Sequence, residues 1–269
     1  MTLVLTSRGR PEQRLDLSPL VPHLLAGKNA AEIEAIAIQT TRVRVTVGDV
    51  FRLRMGDAQR IRIENACDRL DQIGAGMNGG EIEVIGDAGI QAGRLMSGGR
   101  LTIRRNVGPW AASGMKSGLI EIAGSAGERL GGPLAGEVSG MRGGVVIIRG
   151  DAGARAGDRL RRGTIIVEGD AGDHAGSRMI AGTLIVRGTA GALPGYLMNR
   201  GTIVLGEGAR LSPTFADCGV HDLVAMRLMA DFIKPYSKGA AALLNRPLRR
   251  LAGDMAVSGH GELFLRNSD

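Results

Sequence analysis

The residues best placed for chemistry are basic side chains at regular spacing. Lys116, Arg142 and Arg161 each directly follow a methionine or leucine of a repeated pattern. A line of cations of this kind attracts carboxylates. Two interpretations stay open for this basic row: a solvated face, which we favour, or a docking strip for an acidic subunit or a polycarboxylate ligand.

The other reactive side chains form no recognisable catalytic or metal-binding pattern. None of the 4 histidines is paired at H-x-x-x-H or H-x-H spacing, and Cys67 and Cys218 are too few for a disulfide framework or a cysteine cluster. The sequence contains no P-loop, no glycine motif that opens a dinucleotide-binding βαβ unit and no nucleophile elbow. We therefore predict no catalytic residue, no metal site and no cofactor bound by this chain alone.

The basic row belongs to a repeat that occurs seven times in residues 67–205. The units are nineteen residues long, with a single step of twenty-six. In each unit a glycine precedes two aliphatic residues, by two and four positions, and follows a methionine or leucine by three. The glycines are Gly80, Gly99, Gly118, Gly144, Gly163, Gly182 and Gly201, and the residues three positions earlier are Met77, Met96, Met115, Met141, Leu160, Met179 and Met198.

A unit of this length and content is typical of one coil of a β-helix. Each contains a short alternating strand, such as LTI at 101–103, and a GDAG-like turn, which is too little chain for a pair of helices. Coils that stack about 4.8 Å apart bring equal columns into contact. We predict an all-β chain, a right-handed single-stranded parallel β-helix of about seven 19-residue coils, with methionine and aliphatic columns inside and glycine at the corners.

A column of short polar residues follows the first glycine of the GDAG-like turn. Asp87, Asn106, Ser125, Asp151 and Asp170 are among its members. We expect these side chains to hydrogen-bond nearby backbone amides in the tight turns. The alternative, a cation bound by the row, is not favoured, because uncharged residues interrupt the acidic ones.

The chain divides into three predicted parts: an N-terminal capping layer with a degenerate first coil (1–66), the repeats (67–207) and a C-terminal helical tail (208–269). The N-terminal layer covers strand edges that would otherwise invite polymerisation. The longer step inserts residues 132–140 as a loop, either a contact face or a neutral surface. We predict strands at 3–6, 42–47, 60–65 and 262–266, and helices near AAEIEAIA and over 219–233 and 238–251.

Composition limits the class of protein. The 43 glycines accompany 43% hydrophobic residues, which argues against collagen and disorder, and the aromatic content of 3% requires an aliphatic interior. A net charge of +7 suggests an acidic partner or a polyanion, but with so few aromatic residues we do not expect nucleic-acid binding. The N-terminus does not resemble a signal peptide and no long apolar run is present, so we expect a cytoplasmic protein without membrane contact.

The repeat G-x-x-G-x-x-x-G, written here as GDAGIQAG, GSAGERLG and GDAGDHAG, resembles that of the C subunit of formylmethanofuran dehydrogenase and of the C-terminal domain of the glutamate synthase large subunit. The catalytic domains of glutamate synthase are missing, so nearly the whole chain is similar to the C subunit. Ala112 and Arg105 depart from the pattern where neighbouring coils have glycine.

The resemblance implies a structural subunit whose complex carries the chemistry elsewhere. Its bacterial form is a formyltransferase/hydrolase complex that moves a formyl group from formyl-tetrahydromethanopterin to a methanofuran analogue and releases formate, with the A, B and D subunits as partners. Its archaeal form is a molybdenum or tungsten formylmethanofuran dehydrogenase. The Arg, Ala and Gly bias favours the bacterial form. A β-helical acyltransferase is the alternative of another class, although its expected period near eighteen fits poorly.

Overall fold

The computed structural model describes residues 1–40 and 42–266, in which strands dominate. The first seventy-one residues contain β1 (Thr2–Ser7), β2 (Leu15–Asp16), α1 (Pro22–Leu25), α2 (Ala30–Glu34), β3 (Ala37–Thr40), β4 (Val45–Thr46), α3 (Val47–Val50), β5 (Phe51–Arg54), β6 (Asp57–Ala66) and β7 (Leu70–Asp71). The repeats contribute β8 (Asn78–Gly86), β9 (Gly98–Ile103), β10 (Leu119–Ile122), β11 (Arg142–Ile148), β12 (Arg162–Val167), β13 (Thr183–Val186) and β14 (Arg200–Leu205). The chain continues with β15 (Ala216–His221), α4 (Val224–Ile233), α5 (Lys238–Leu244), β16 (Leu248–Gly253) and β17 (His260–Arg266).

One large sheet of 13 strands runs the length of the molecule in the order β15-β16-β17-β14-β13-β12-β11-β10-β9-β8-β6-β1-β5. The strands from β1 to β17 within this order pair in parallel, and β5, β16 and β15 join antiparallel at the two ends. A smaller sheet of 4 strands, β4-β3-β2-β7, lies in the N-terminal part. The fold is therefore β-helix-like, with a parallel sheet built from successive repeats.

The strand register confirms the predicted aliphatic columns. Ile82 lies opposite Leu101, Leu101 opposite Ile120, and the series continues through Val146, Ile165, Leu184 and Ile203. A second line of parallel bridges joins Ala88, Val107, Ala126, Ala152, Ala171 and Ala190 on another side of the coils. The methionine column is fully buried, so residues nineteen apart do stack around one interior.

The glycine column occupies corners that a side chain would obstruct. Gly163 has φ +94, and a Cβ built on it would lie 2.7 Å from the carbonyl oxygen of Gly144 in the preceding coil. Ala112 belongs to a different glycine column, and it adopts the same left-handed conformation, with φ 59, as Gly93 and Gly131 at the equivalent positions of neighbouring coils. The backbone shape of that second corner is thus kept at Ala112.

The short polar column caps backbone amides of the turns, as predicted, and the structure identifies which amides these are. Asn106 Oδ1 accepts a hydrogen bond from Ser125 N at 2.9 Å, and Ser125 Oγ accepts one from Asp151 N at 3.0 Å. Each side chain therefore caps the equivalent amide of the next coil.

A second hydrophobic core lies outside the sheet. The outward positions of the later strands are apolar and fully or nearly buried, including Ile147, Ile166, Ile185, Val204 and Phe264. Helices α4 and α5 cover them with Met226, Ala230, Ile233, Ala240, Ala241 and Leu244. In the earlier strands, which we call the uncovered half, the same outward column holds Arg62, Glu83, Thr102 and Glu121, and these residues are only half-buried.

Several terminal predictions need correction. The strands predicted at 3–6, 60–65 and 262–266 are confirmed as β1, β6 and β17, whereas the strand predicted at 42–47 is limited to Val45–Thr46. It ends there because Thr46 N and Oγ1 both donate to Asp49 Oδ2 at 2.8 Å and so begin α3. The helix near AAEIEAIA is confirmed as α2, but Ala37 already belongs to β3.

The tail predicted as helical also contains three strands. The helix predicted over 219–233 begins only at Val224, because Ala216–His221 pairs as β15 with β16. The helix predicted over 238–251 ends at Leu244, and Pro247 separates it from β16. β17 then lies parallel to β14, with Leu263 opposite Ile203, so the tail adds strands to the main sheet.

Candidate functional site

Backbone hydrogen bonds place the basic row at equivalent positions on the surface. The N–H groups of Lys116, Arg142 and Arg161 donate to the carbonyl oxygens of Met96, Met115 and Met141, at 2.7, 2.7 and 2.9 Å. All three side chains are exposed. Each stands where the chain leaves the buried methionine corner and approaches the next strand of the large sheet. The three cations therefore lie along one edge of successive coils.

The strand register places a further arginine beside this basic row. Sequence spacing aligns Arg142 with Arg161, but in the pairing of β11 with β12 Arg142 lies opposite Arg162, and the register shifts before Val145. Arg162 and Arg200 are exposed as well. The positive charge thus continues beyond the three residues that define the row.

The cations of the basic row have no ion-pair partner in the part of the chain that the structure describes. No carboxylate of the described residues forms an ion pair with Lys116, Arg142 or Arg161, and Arg142 Nε donates instead to Ser139 Oγ at 3.2 Å. Like charges in adjacent coils repel unless water or an anion screens them. The row can therefore attract a multivalent anion or an acidic surface.

A different set of charges follows the outer face of the sheet from its uncovered half to the ends of β12 and β13. We call it the ion-pair ladder, and it comprises Glu83 with Arg62 and Arg104, Glu121 with Arg100 and Arg149, and Glu168 with Arg149 and Arg187. Glu121 pairs with Arg100 at 3.2 Å and with Arg149 at 2.6 Å, and Glu168 pairs with Arg149 at 3.3 Å and with Arg187 at 2.6 Å. Each carboxylate therefore lies between two guanidinium groups. The ladder neutralises itself, in contrast to the basic row.

The ladder shifts the ionisation of its acids. Hydrogen bonds from Arg149, and then from Arg100, hold the pKa of Glu121 below its ordinary value, against the opposing effect of desolvation. Burial raises the pKa of Glu83, but hydrogen bonds from Arg62 and Arg104 outweigh it, so the net pKa is lowered. A shallow cavity of about 320 Å³ over this face is lined by Arg60, Glu81 and members of the ladder. Its ladder members Arg62, Glu83, Arg100, Arg104 and Glu121 are already paired, which favours a structural role for them.

Sequence reasoning missed the ladder, although its signal is present. The outward strand positions Arg62 and Glu83 lie opposite each other in one column, and opposite charges at paired positions predict a cross-strand ion pair. Arg149 and Arg187 lie just after their strands and could not be assigned to the column by spacing alone. The ladder also supports the helical cover, because Arg149 Nη1 donates to the carbonyl oxygen of Tyr236 at 3.0 Å.

His174 is the histidine with the most enclosed ring nitrogen. Nδ1 has no protein hydrogen-bond partner among the described residues, and the ring meets Tyr196 edge-on with centroids 5.7 Å apart. The adjoining cavity of about 160 Å³ is also lined by Arg178, which is paired with the buried carboxylate of Asp158 at 2.5 Å. Within the part of the chain that the structure describes, no group of three or more His, Cys, Asp or Glu side chains is arranged to hold a metal ion.

In the described ranges, no helix combines the length and the apolar content needed to cross a bilayer.

Comparison with known proteins gives one relative that matches nearly the whole chain. The C subunit of the formyltransferase/hydrolase complex Fhc from Methylorubrum extorquens is 43% identical over 258 residues, which is 96% of this chain and 97% of the relative. The C subunit of the tungsten-containing formylmethanofuran dehydrogenase 2 from Methanococcus maripaludis is 29% identical over 90 residues, 33% of each chain. No protein-family model matches the sequence.

A solved structure has the same fold over its whole length. A chain of the crystal structure of the formyltransferase/hydrolase complex FhcABCD from Methylorubrum extorquens, in complex with methylofuran, superposes with a TM-score of 0.93 at 41% identity. The superposition covers 98% of this chain and 100% of that chain.

Proposed function

The chain belongs to the C-subunit family of formyltransferase/hydrolase complexes, and we propose that it is the non-catalytic structural subunit of such a complex. The single observation that carries this proposal is the match along 96% of the chain to one component of that assembly. Its partners would be the A, B and D subunits, in a cytoplasmic hetero-oligomer. The complex would transfer a formyl group from formyl-tetrahydromethanopterin to a methanofuran analogue and release formate.

The two alternatives are less well supported. A metal-dependent formylmethanofuran dehydrogenase corresponds to the relative that matches only 33% of the chain at 29% identity. A β-helical acyltransferase has no counterpart among these relatives, and its period near eighteen does not fit the spacing of nineteen. We therefore assign the pterin-dependent and carrier-dependent chemistry to other subunits, and we propose that this chain alone binds no cofactor.

The scaffold role depends on a finer description of the fold. We propose a right-handed single-stranded β-helix of seven 19-residue coils in residues 67–207, preceded by a capping layer in 1–66 and followed by the closing segment 208–269. The matched columns of the parallel sheet and the buried methionine column support this description. A rigid stack of this kind gives partner subunits flat surfaces that keep their relative positions.

Reconstitution from purified subunits tests the proposed function. The chain alone is expected to give no formyl transfer or formate release, and the A, B and D subunits are expected to co-purify with it and to lose assembly when it is omitted. Turnover by the isolated chain would favour the acyltransferase. A pterin-binding metal protein among its partners would favour the dehydrogenase.

Within this function, we propose that the basic row of Lys116, Arg142 and Arg161 is a docking strip for an acidic subunit surface or for a polycarboxylate carrier. The exposed, unneutralised charges on adjacent coils support this role. The variant Arg142→Glu with Arg161→Glu should fold normally but weaken assembly or carrier handling. Arg52→Glu, which reverses an exposed arginine in the N-terminal part, is the matched control. Unchanged behaviour of the double variant in both assays would leave the row as a solvated face.

A further inference from the structure

Helix α4 is apolar on two opposite sides. Met226, Ala230 and Ile233 point into the second core and are buried. Val224, Leu228 and Phe232 follow one another at intervals of four residues and leave 67, 66 and 54% of their surface exposed. At about 100° per residue these three positions lie on the side opposite the buried ones. We call them the α4 outer face.

The rest of the helix surface adds to this face. Ala225 is exposed and Met229 half-buried beside it, whereas Arg227, Asp231 and Lys234 are confined to a single strip along the other flank. Arg227 in that strip already pairs with Asp222. A helix that is apolar on nearly all sides is normally buried on nearly all sides. Here the chain itself covers only the inner side.

The small size of the α4 outer face and the net charge of the chain argue against a dimer held together by this face alone. The exposed parts of the three side chains amount to roughly 350 Å², which is in the range of apolar patches that mark interaction sites. Two such patches meeting about a twofold axis would bury roughly 700 Å² in total, well below the about 1,200 Å² at which stable interfaces begin. Each copy would also bring a net charge of +7 to the contact.

We propose that the α4 outer face docks an apolar surface of another subunit of the complex. This inference rests on the proposed function, because it takes one of the A, B or D subunits as the occupant. The partner surface would be apolar at its centre, where Leu228 and Phe232 insert, and acidic around it, to match the positive charge of this chain. The inner side of α4 holds the helix on the sheet, so the outer side is presented without rearrangement.

Co-expression of this chain with the A, B and D subunits tests the proposal. The variant Leu228→Lys with Phe232→Lys should lower the yield of assembled complex at least tenfold, while the isolated variant keeps its thermal unfolding temperature, since both side chains are exposed. Val43→Lys changes another exposed apolar residue, in the N-terminal part, and should assemble like the wild type. Assembly of the double variant at the wild-type level, or an equal loss with Val43→Lys, would overturn the proposal.

Two further measurements separate the possible failures. A photo-crosslinking residue at position 228 of the assembled complex should form a covalent product with A, B or D. This measurement also tests the proposal if the lysine variant does not fold. Absence of any such product overturns the proposal. Sedimentation of the isolated wild-type chain should give a monomer, and a dimer that disappears in the double variant would assign the face to a second copy. If the wild-type chain itself fails to co-purify with A, B and D, the proposed function fails as well.

Discussion

Asp151 Oδ1 accepts a hydrogen bond of 2.9 Å from the backbone N–H of Asp170, the residue nineteen positions further along the chain. Asp87 and Asn106 are related in the same way, also at 2.9 Å. Since Asn106 and Ser125 serve as acceptors in the same column, the role requires an oxygen atom and not a negative charge. The column therefore links adjacent coils on the outside, as the methionines do on the inside.

Removal of one acceptor from this column should weaken the stack locally. We expect Asp151→Ala to lower the free energy of unfolding by about 1 kcal/mol, the usual net value of one hydrogen bond. Asp151→Asn keeps the acceptor and should cost less than about half of that. Urea unfolding of both variants measures the difference, and equal losses would show that the charge, not the acceptor, matters.

The corner glycines should tolerate no side chain. Gly163→Ala forces a positive φ on alanine and places its Cβ 2.7 Å from the Gly144 oxygen, so we expect a loss of more than about 2 kcal/mol in the free energy of unfolding. Gly79→Ala is the control, because no atom lies within 4 Å of the position that its Cβ would take and its φ is outside the left-handed region. Chemical denaturation of both variants tests this, and similar stabilities would contradict the role of the corner.

The strictness of the repeat explains why the register could be predicted from the sequence. A column such as Ile82, Leu101 and Ile120 stacks only if the coils superpose, so spacing alone determines which residues pair. The partners of the short polar column could not be read in the same way. From the sequence alone, the side chain of Asn106 could accept from an amide of its own turn or from one in the next coil. The structure shows that it accepts from Ser125 N in the next coil.

The second core shows what spacing could not reveal. The runs TIIV and TLIV carry an apolar residue at the outward position where LTI carries Thr102, which indicates a covered surface. The cover itself comes from α4 and α5, which lie far along the chain and whose docking depends on their three-dimensional path. The spacing of the repeat was enough to locate the basic row. The pairing of Arg142 with Arg162 depends on a register shift that the repeat does not encode.

The covered and uncovered halves of the sheet should respond differently to substitution. Ile185 is fully buried beneath the helices, and Ile185→Ala should lower the free energy of unfolding by about 2–5 kcal/mol. Thr102 holds the equivalent outward position in the uncovered half and is only partly buried, so Thr102→Ala should change the free energy by less than about 0.5 kcal/mol. Urea unfolding measures both, and a small effect at Ile185 would show that the helices do not form a second core.

Stability should depend on pH through the ion-pair ladder. The pKa of Glu121 is held below its ordinary value of 4.5, mainly by the hydrogen bond from Arg149. A lowered pKa in the folded state means that the carboxylate stabilises the fold fully above pH 4.5 and loses this contribution as the pH falls through the lower, folded-state value. Glu121→Gln should therefore be less stable than the wild type at pH 7, and the difference should shrink in acid. A difference that stays constant with pH, measured by urea unfolding, would contradict this role.

The loop at 132–140 should depend on one ion pair for its order. Glu137 Oε1 accepts from Arg94 Nη2 at 2.7 Å, and Glu137 Oε2 accepts from the backbone N–H of Leu134 at 2.9 Å, so a single carboxylate joins the loop to the preceding coils and closes its turn. Glu137→Ala removes both contacts and should make the loop the first site of limited proteolysis, with little change in thermal unfolding, because the inserted residues lie outside the stacked columns. Glu128→Ala alters an exposed carboxylate nearby and should leave the cleavage pattern unchanged. If Glu137→Ala resists protease as the wild type does, the neighbouring contact of Arg159 Nη1 with the Glu137 carbonyl oxygen, at 3.1 Å, is sufficient to hold the loop.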